Sequence, residues 1–275
     1  ASNLYKNINT VSVVGEDFPE KTIELFKSRG INTEGLEIKK GEKTFFWSGK
    51  YHQDMNTRDT LDTQLNVLEK FDPIVPENYQ DCDILMLGNL TPSVQMKVIK
   101  QMETRPKLIV LDTMNFWMEI AMEDLKKVIK EIDVLTINDE EARLLSGVHS
   151  LRKAAKIILE MGPKYLIIKK GEHGALLFGD NNIFYAPALP LEEVFDPTGA
   201  GDTFMAGIAL GIEAGMGISG FTRASKVSLD PSGWSLRMAI STIRSLLISV
   251  PVVSRSKTTS GLVSLIFTTQ RYHTD

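Results

Sequence analysis

Short apolar runs rich in β-branched residues recur along the first 215 residues of the chain. Five of these runs have about the length of a strand that is buried on both faces of a sheet: Thr10–Val14, Asp83–Leu87, Lys107–Leu111, Asp133–Ile137 and Lys164–Ile168. Each run therefore predicts one β-strand.

Helical periodicity fills several of the gaps between these strands. Apolar residues recur three or four positions apart within Glu20–Arg29, Val94–Met102, Leu125–Ile129 and Ala154–Met161. Strands that alternate with helices form βαβ units, so the sequence predicts a mostly parallel sheet with helices on both faces. Ligands of such sheets bind beyond the carboxyl ends of the strands, and functional residues are expected just after each strand.

The stretch Leu36–Tyr51 departs from this alternation. It predicts a β-hairpin with its turn at Lys40-Gly41-Glu42 and with the aromatic cluster Phe45-Phe46-Trp47 after the turn. We therefore expect a small antiparallel flap beside the main sheet. A plain edge hairpin whose aromatic side chains pack on the core is an equally good interpretation.

Composition narrows the classes of function. The 275 residues are 43% apolar and 24% charged, which excludes wholesale disorder and fibrous proteins. The single cysteine, Cys82, excludes an internal disulfide framework, and the four histidines show no metal-binding spacing. A net charge of −4 and the lack of a long apolar run argue against nucleic-acid and membrane partners. We expect a cytoplasmic location, since residues 1–9 also lack the apolar core of a signal peptide.

Charge and serine content change near residue 215. Residues 216–275 contain 7 Lys or Arg and 2 Asp or Glu, a net of +5, whereas residues 1–215 contain 24 and 33, a net of −9. Serine occurs 12 times in the last 60 residues and 7 times in the first 215. This C-terminal segment is therefore expected to differ in structure from the rest.

The sequence from Asp196 to Phe204, DPTGAGDTF, contains the sharpest chemical signal in the chain. Its small residues allow a tight turn that brings backbone N–H groups together. A helix-compatible run follows, and a glycine turn that opens a helix is a binding site for an anion such as phosphate. Asp202 lies inside this site, where a carboxylate would repel phosphate. Its presence there makes sense if it accepts a proton from an attacking hydroxyl group. Helix N-capping is the alternative role.

The whole string DPTGAGDTF resembles the signature of the ribokinase-like (PfkB) family of carbohydrate and nucleoside kinases. Asn138-Asp139-Glu140-Glu141 is similar to the family's NxxE motif, and residues 168–175 resemble its strand–turn–strand nucleotide segment. Val14–Phe18 and Ser28–Ile31 resemble its early segments. The resemblance implies a three-layer α/β/α ribokinase-like sandwich with a mostly parallel central sheet and a small β flap, in a single domain over residues 1–275.

The resemblance also implies ATP-dependent phosphorylation of a hydroxyl group on a sugar or nucleoside. By position, Asp202 is the catalytic base, and the anion hole is formed by Gly199, Ala200 and Gly201. Asn138 and Glu141 are expected to place Mg2+ through water. The nucleotide is expected to contact Asn138, Lys169, Lys170, Gly171, Glu172, Gly174 and Asp202.

The same resemblance makes the flap at 36–51 a lid over the substrate, where closure excludes water. A homodimer formed through this flap is the candidate assembly. Three polar residues that follow predicted strands, Asn89, Asp112 and Asn115, are candidate substrate contacts; a loop cap or turn is the alternative role for each.

The chain departs from the family pattern at both ends. At the N-terminus, a first strand that carries a substrate-binding Asp is expected to be missing. At the C-terminus, three interpretations of residues 216–275 stay open: a divergent final layer of the domain, a basic accessory tail, or a change of reading frame in the source gene. Within this segment the pattern predicts a helix at about 236–249 and a strand at Leu262–Phe267. A poorly fitted tail would be cut early by protease between Met216 and Gly233 and would leave ATP affinity weak.

A catalytically silent nucleotide- or sugar-binding protein of the same fold is the alternative function. A dinucleotide-dependent dehydrogenase is excluded, because the glycine pattern at 215–220 follows a helical run rather than the first strand.

Overall fold

The computed structural model describes residues 7–53, 58–192, 194, 199–213 and 262–264. Eleven β-strands lie in these ranges: β1 (Ile8–Gly15), β2 (Ile31–Lys39), β3 (Phe46–Tyr51), β4 (Arg58–Gln64), β5 (Ile84–Leu87), β6 (Leu108–Asp112), β7 (Val134–Asn138), β8 (Tyr165–Lys169), β9 (Ala175–Gly179), β10 (Asn182–Ala186) and β11 (Leu262–Ser264). Nine of them form one sheet in the order β10-β9-β8-β7-β6-β5-β11-β1-β2, and β3 pairs with β4 in a second, two-stranded sheet.

The central sheet is mostly parallel. Strands β5 to β8 pair in parallel with their neighbours, as do β1, β2 and β11, whereas β9 and β10 add an antiparallel edge. All five strands that the apolar runs predict are present, each within two residues of the expected bounds. Four of them begin one residue late because the first predicted residue is charged and lies at the entry to the strand. For example, Lys107 forms an ion pair of 2.5 Å with Asp83 there.

Seven α-helices lie in the same ranges: α1 (Glu20–Ser28), α2 (Pro92–Lys100), α3 (Asn115–Ile120), α4 (Met122–Ile129), α5 (Asp139–Ser146), α6 (Leu151–Leu159) and α7 (Ala200–Glu213). The four predicted amphipathic helices correspond to α1, α2, α4 and α6. Helix α3 escapes sequence analysis because its six residues are too few to show a periodic pattern. In the described parts of the chain no helix has the length and apolar character needed to cross a membrane.

The two faces of the sheet carry separate apolar clusters. The larger one joins alternate strand residues such as Leu135 and Ile168 to side chains of α2, α4, α5 and α6. The smaller one lies on the opposite face, where Val110, Val134 and Ile167 belong to the same cluster as Met205 and Ile208 of α7. Helix α7, which begins within the DPTGAGDTF string, is therefore seated directly on the sheet.

The predicted hairpin at 36–51 is wrong in its pairing. Residues 36–39 belong to β2 and pair in parallel with β1, while Phe46–Tyr51 pairs antiparallel with Arg58–Gln64. The segment between β2 and β3 is held against the end of β1. The Thr44 hydroxyl accepts from Gly15 N–H at 2.9 Å and donates to Asp17 Oδ1 at 2.7 Å. These bonds attach the segment that resembles a hairpin turn to the end of β1. The antiparallel flap therefore forms later in the chain, from β3 and β4.

The C-terminal segment contributes β11 to the middle of the sheet, between β1 and β5 and parallel to both. The strand predicted at Leu262–Phe267 is thus confirmed for its first three residues. The helix predicted at 236–249 and the protease-sensitive stretch between Met216 and Gly233 lie outside the described residues.

Candidate active site

The start of α7 has the geometry of an anion site. Gly199 precedes the helix with φ of 73°, in the left-handed region that favours glycine. The first backbone hydrogen bond runs from Thr203 N–H to Gly199 O at 2.9 Å, and the Thr203 hydroxyl donates to the same oxygen at 2.8 Å. The N–H groups of Ala200, Gly201 and Asp202 precede this bond and so have no intrahelical acceptor. They and the helix dipole favour a negative group at this point.

Asp202 lies in the first turn of the same helix, and its side chain is exposed to solvent. Protein atoms nevertheless surround much of the carboxyl group and shield it from bulk water. This desolvation raises the pKa of the carboxyl, the negative charge of Asp112 raises the pKa further, and the positive charge of Lys169 opposes both. The carboxyl is therefore accessible to a bound molecule on its exposed side.

An ion pair lies beneath this first turn. Lys169 Nζ donates to Asp112 Oδ1 at 2.8 Å, and the Thr136 hydroxyl donates to the same oxygen at 3.0 Å. Both charged side chains are largely buried: 21% of Lys169 and 12% of Asp112 is exposed. A β-carbon at Gly201 would lie 3.4 Å from Lys169 Nζ, so the ammonium group is close to the turn that carries Asp202.

The sheet explains why these three polar residues meet. Asp112 pairs in register with Thr136, and parallel partners present their side chains to the same face. Lys169 is two residues beyond Ile167, the register partner of Thr136. All three therefore lie on the face covered by α7, at the carboxyl ends of β6, β7 and β8. The sequence does not single out Thr136, because a β-branched residue inside an apolar run looks like an ordinary strand residue.

Asn138 and Glu141 form a capping box at the start of α5. Asn138 Oδ1 accepts from Glu141 N–H at 2.8 Å, and Asn138 N–H donates to Glu141 Oε2 at 2.7 Å. Asn138 is also the register partner of Lys169, which puts the capping box beside the ion pair. Helix capping is thus enough to account for this spacing locally.

The segment that follows β8 forms a short 3-10 turn, Gly171–His173, that leads into β9. Lys170 N–H donates to Gly174 O at 2.8 Å and closes the turn. Gly174 has φ of 83°, and a β-carbon there would collide with the carbonyl oxygen of Ala186. Lys170 is half-buried, and Gly171 and Glu172 are exposed. The turn is therefore a fixed rim at the carboxyl end of β8.

The three candidate substrate residues have different surroundings. Asn89 has both ends of its amide engaged, because Oδ1 accepts from Trp117 Nε1 at 2.8 Å and Nδ2 contacts Met114 Sδ at 2.9 Å. Asp112 is held by Lys169 and Thr136. Asn115 is exposed at the first position of α3. Asn115 thus has the most accessible side chain of the three.

An apolar groove lies on the α7 face, over the strands β7 to β10. Its lining includes Ile167, Leu177, Phe184, Phe204 and Ile208, all of them apolar. A wall without polar groups cannot compensate the charge of a triphosphate. This groove is therefore unsuited to binding phosphate.

Among the described residues no cluster of three or more His, Cys, Asp or Glu side chains could hold a metal ion. Mg2+ does not need such a cluster when substrate phosphates and water supply most of its ligands. The pair Asn138 and Glu141 offers amide and carboxylate oxygens of the kind that Mg2+ prefers, so the residues present fit an ion bound through water and phosphate.

Sequence comparisons place these features in a known group. A model of the pfkB family of carbohydrate kinases matches residues 1–226. A cytidine kinase from Thermococcus kodakarensis is 28% identical over 240 residues, which are 83% of this chain and 84% of that protein. A nucleoside kinase from Methanothermobacter thermautotrophicus is 24% identical over 229 residues, 75% of this chain and 66% of that protein. The matched region is about half of the bifunctional protein HldE of Campylobacter fetus, at 49% of its length.

Solved structures confirm the predicted ribokinase-like fold. A ribokinase from Thermotoga maritima superposes with a TM-score of 0.63 and 22% identity over 86% of this chain and 81% of that one. A ribokinase from Arabidopsis thaliana, solved with ribose and ATP, gives 0.64 and 20% over 82% and 75%. An E. coli protein solved with ATP and Mg2+ gives 0.70 and 21% over 89% and 85%.

Proposed function

Because the chain belongs to the pfkB family of carbohydrate kinases, we propose that it transfers the γ-phosphoryl group of ATP to a hydroxyl group of a sugar or a nucleoside. The observation that carries this proposal is the first turn of α7. It holds an anion site and the Asp202 carboxyl within a few residues, at the carboxyl ends of the parallel strands. A phosphoryl group and the hydroxyl that attacks it can thus meet at one point.

Asp202 is proposed as the catalytic base. It accepts the proton of the substrate hydroxyl while the N–H groups of Gly199, Ala200 and Gly201 hold the oxygens of the transferred group. Phosphoryl transfer needs little covalent help from the protein, so alignment of the two substrates and neutralisation of charge supply most of the rate. The raised pKa of Asp202 suits this role, because it brings the base closer to the pH at which the enzyme works.

The rim after β8 is proposed to hold the nucleotide, with Lys169 and Lys170 as its cationic groups. Gly171, Glu172 and Gly174 line the same turn, and Asn138 lies on the neighbouring strand. Asn138 and Glu141 would hold Mg2+ through water, and that ion would neutralise charge on the phosphates. Similar proteins have been solved with ATP, and with ATP and Mg2+, which supports the choice of these two ligands.

The substrate class is proposed to be a sugar or nucleoside. Relatives include a cytidine kinase, a nucleoside kinase and a ribokinase, and the Arabidopsis ribokinase was solved with ribose. Asn115 is the most accessible of the candidate substrate contacts, which also include Asn89 and Asp112. The flap formed by β3 and β4 is proposed as the lid, because closure over the crevice would exclude water from the transfer.

The test measures ADP release with a panel of sugars and nucleosides, together with ATP binding by calorimetry. The proposal expects ADP release above the rate of ATP hydrolysis with at least one acceptor, and a phosphorylated product by mass spectrometry. ATP binding without transfer to any acceptor would instead support the catalytically silent alternative. Absence of both would contradict the proposed function.

A further inference from the structure

We propose that Lys169 and Asp112 are positioning residues that set the protonation of Asp202 through an ion pair built beneath the first turn of α7. The proposal rests on the proposed function of Asp202 as a base and adds two residues with opposite effects on it. Neither residue needs to touch the reacting atoms.

The geometry places an ion pair close to the turn that carries Asp202. Lys169 comes from β8 and Asp112 from β6, and the 2.8 Å bond between them spans the intervening strand β7. Thr136 of β7 fixes the pair from below through its 3.0 Å bond to Asp112 Oδ1. The absence of a side chain at Gly201 lets the ammonium group approach the turn, since a β-carbon there would be only 3.4 Å from Nζ.

Burial makes this ion pair unusual within the described part of the chain. Several other pairs, such as Lys97–Asp72 and Lys127–Asp124, have both side chains more than half exposed. Exposed pairs contribute little to stability, whereas charges that are withdrawn from water act strongly on neighbouring groups. Asp112 and Lys169 are the charged residues that act on the Asp202 carboxyl, from β6 and β8 respectively, and Thr136 of β7 is neutral.

The two charges act in opposite directions. Asp112 stabilises the protonated form of Asp202 and raises its pKa, whereas Lys169 stabilises the carboxylate and lowers it. The effect of Asp112 is the larger of the two, and Lys169 opposes it. A phosphate in the anion site would attract Lys169 and thereby change the balance at Asp202 as the substrate arrives.

The experiment titrates the Asp202 carboxyl by carbon-13 NMR in the full-length protein without ligands, with the resonance assigned by comparison with Asp202→Asn. Lys169→Gln is expected to move the Asp202 titration to higher pH, and Asp112→Asn is expected to move it to lower pH. The double variant should lie between the two. Lys169→Arg, which keeps the charge, should stay close to the wild type.

Shifts in the same direction, or no shift in either variant, would overturn the proposal, because a merely structural pair predicts no opposite displacement. Circular dichroism checks that each variant is folded. If one variant does not fold, the other still has a required direction, and the wild-type resonance must titrate above the ordinary Asp value of 3.8.

The pH dependence of kcat/KM gives a second readout once an acceptor is known. Its acidic limb should move in the same directions as the NMR titration. NMR shifts without any phosphotransfer would uphold the tuning of Asp202 and contradict the proposed function, so the two failures are distinguishable.

Discussion

The strands β6, β7 and β8 change character over two residues on the face that α7 covers. Val110, Val134 and Ile167 are buried and apolar, whereas two positions later the same strands carry Asp112, Thr136 and Lys169. Two residues of a strand span about 6–7 Å. Stability and chemistry are thus divided within a single face: the apolar positions hold α7 on the sheet, and the polar ones surround Asp202.

The largest expected effect is a loss of turnover when Asp202, beside the polar strand ends, is replaced. Asp202→Asn should reduce turnover by about 10²–10⁴-fold, the usual contribution of a positioned base, while the free energy of unfolding changes little. The reason is that the amide retains the size of the side chain but cannot accept the proton. Turnover is measured by ADP release and stability by urea unfolding.

Asp124→Asn is the matched control, because Asp124 also lies in the first turn of a helix and is half exposed. It should leave turnover unchanged. An Asp202→Asn enzyme that keeps more than about a tenth of the activity would contradict the role of a base.

The second effect is a loss of stability when one of the apolar strand residues beneath α7 is truncated. Ile167→Ala, two residues before Lys169, should lower the free energy of unfolding by about 2 kcal/mol, at the low end of the range for such truncations because the side chain borders an open groove. Turnover per folded molecule should stay within about threefold of the wild type. The measurements are urea unfolding and ADP release at a temperature where both proteins are folded. A loss of turnover without a loss of stability would contradict the prediction that Ile167 contributes to stability and not to chemistry.

Much of this division could be predicted from the sequence. The five apolar runs located the strands, and the DPTGAGDTF string located the turn that carries Asp202. These signals are local, since burial on both faces forces continuous apolar character and a tight turn requires small residues. The bonds between Asp112, Thr136 and Lys169 were not predictable, because three strands from distant parts of the chain have to be in register before these residues meet.

The flap shows a different limit. The turn residues Lys40-Gly41-Glu42 predicted a hairpin, but Gly41 N–H donates to Glu16 Oε2 at 2.8 Å and Thr44 binds Gly15 and Asp17. Tertiary contacts with the end of β1 therefore override a local turn signal. At α5, by contrast, the local pattern is realised, because the NxxE spacing forms a capping box between Asn138 and Glu141.

The third effect separates these two uses of Glu141. Glu141→Gln should raise the Mg2+ concentration for half-maximal rate by about tenfold, the usual cost of losing an outer partner of a metal ion, with little change in the acceptor KM. Glutamine can still accept from Asn138 N–H, so the capping box and the stability of α5 should persist. Glu140→Gln, exposed in the same turn, is the control. An unchanged Mg2+ titration would exclude the metal role and leave Glu141 with capping alone.

The smallest effect concerns Thr44, a polar residue at the carboxyl end of β1 that we expect to serve stability rather than catalysis. Thr44→Val removes the hydroxyl that joins Gly15 and Asp17 at the end of β1, and it should lower the free energy of unfolding by about 1 kcal/mol near neutral pH. Thr44 and Gly15 are both buried, so water does not freely replace the lost partner of Gly15 N–H, and about 1 kcal/mol is the lower end of the cost of such a loss. Thr44→Ser, which keeps the hydroxyl, should cost less.

The pH dependence of this cost identifies its source. Burial acts to raise the pKa of Asp17, but hydrogen bonds from the Thr44 hydroxyl and backbone outweigh it, so the pKa lies below the ordinary value of 3.8. A lowered folded-state pKa contributes stability that is present above the unfolded pKa and is lost as the pH falls through the folded one. The difference between wild type and Thr44→Val should therefore shrink, without vanishing, as urea unfolding is repeated below about pH 4. A difference that is constant with pH would mean that the bond to Gly15 accounts for the whole effect, and that the Thr44 hydroxyl does not stabilise the Asp17 carboxylate, which the Thr44 N–H contacts in both proteins.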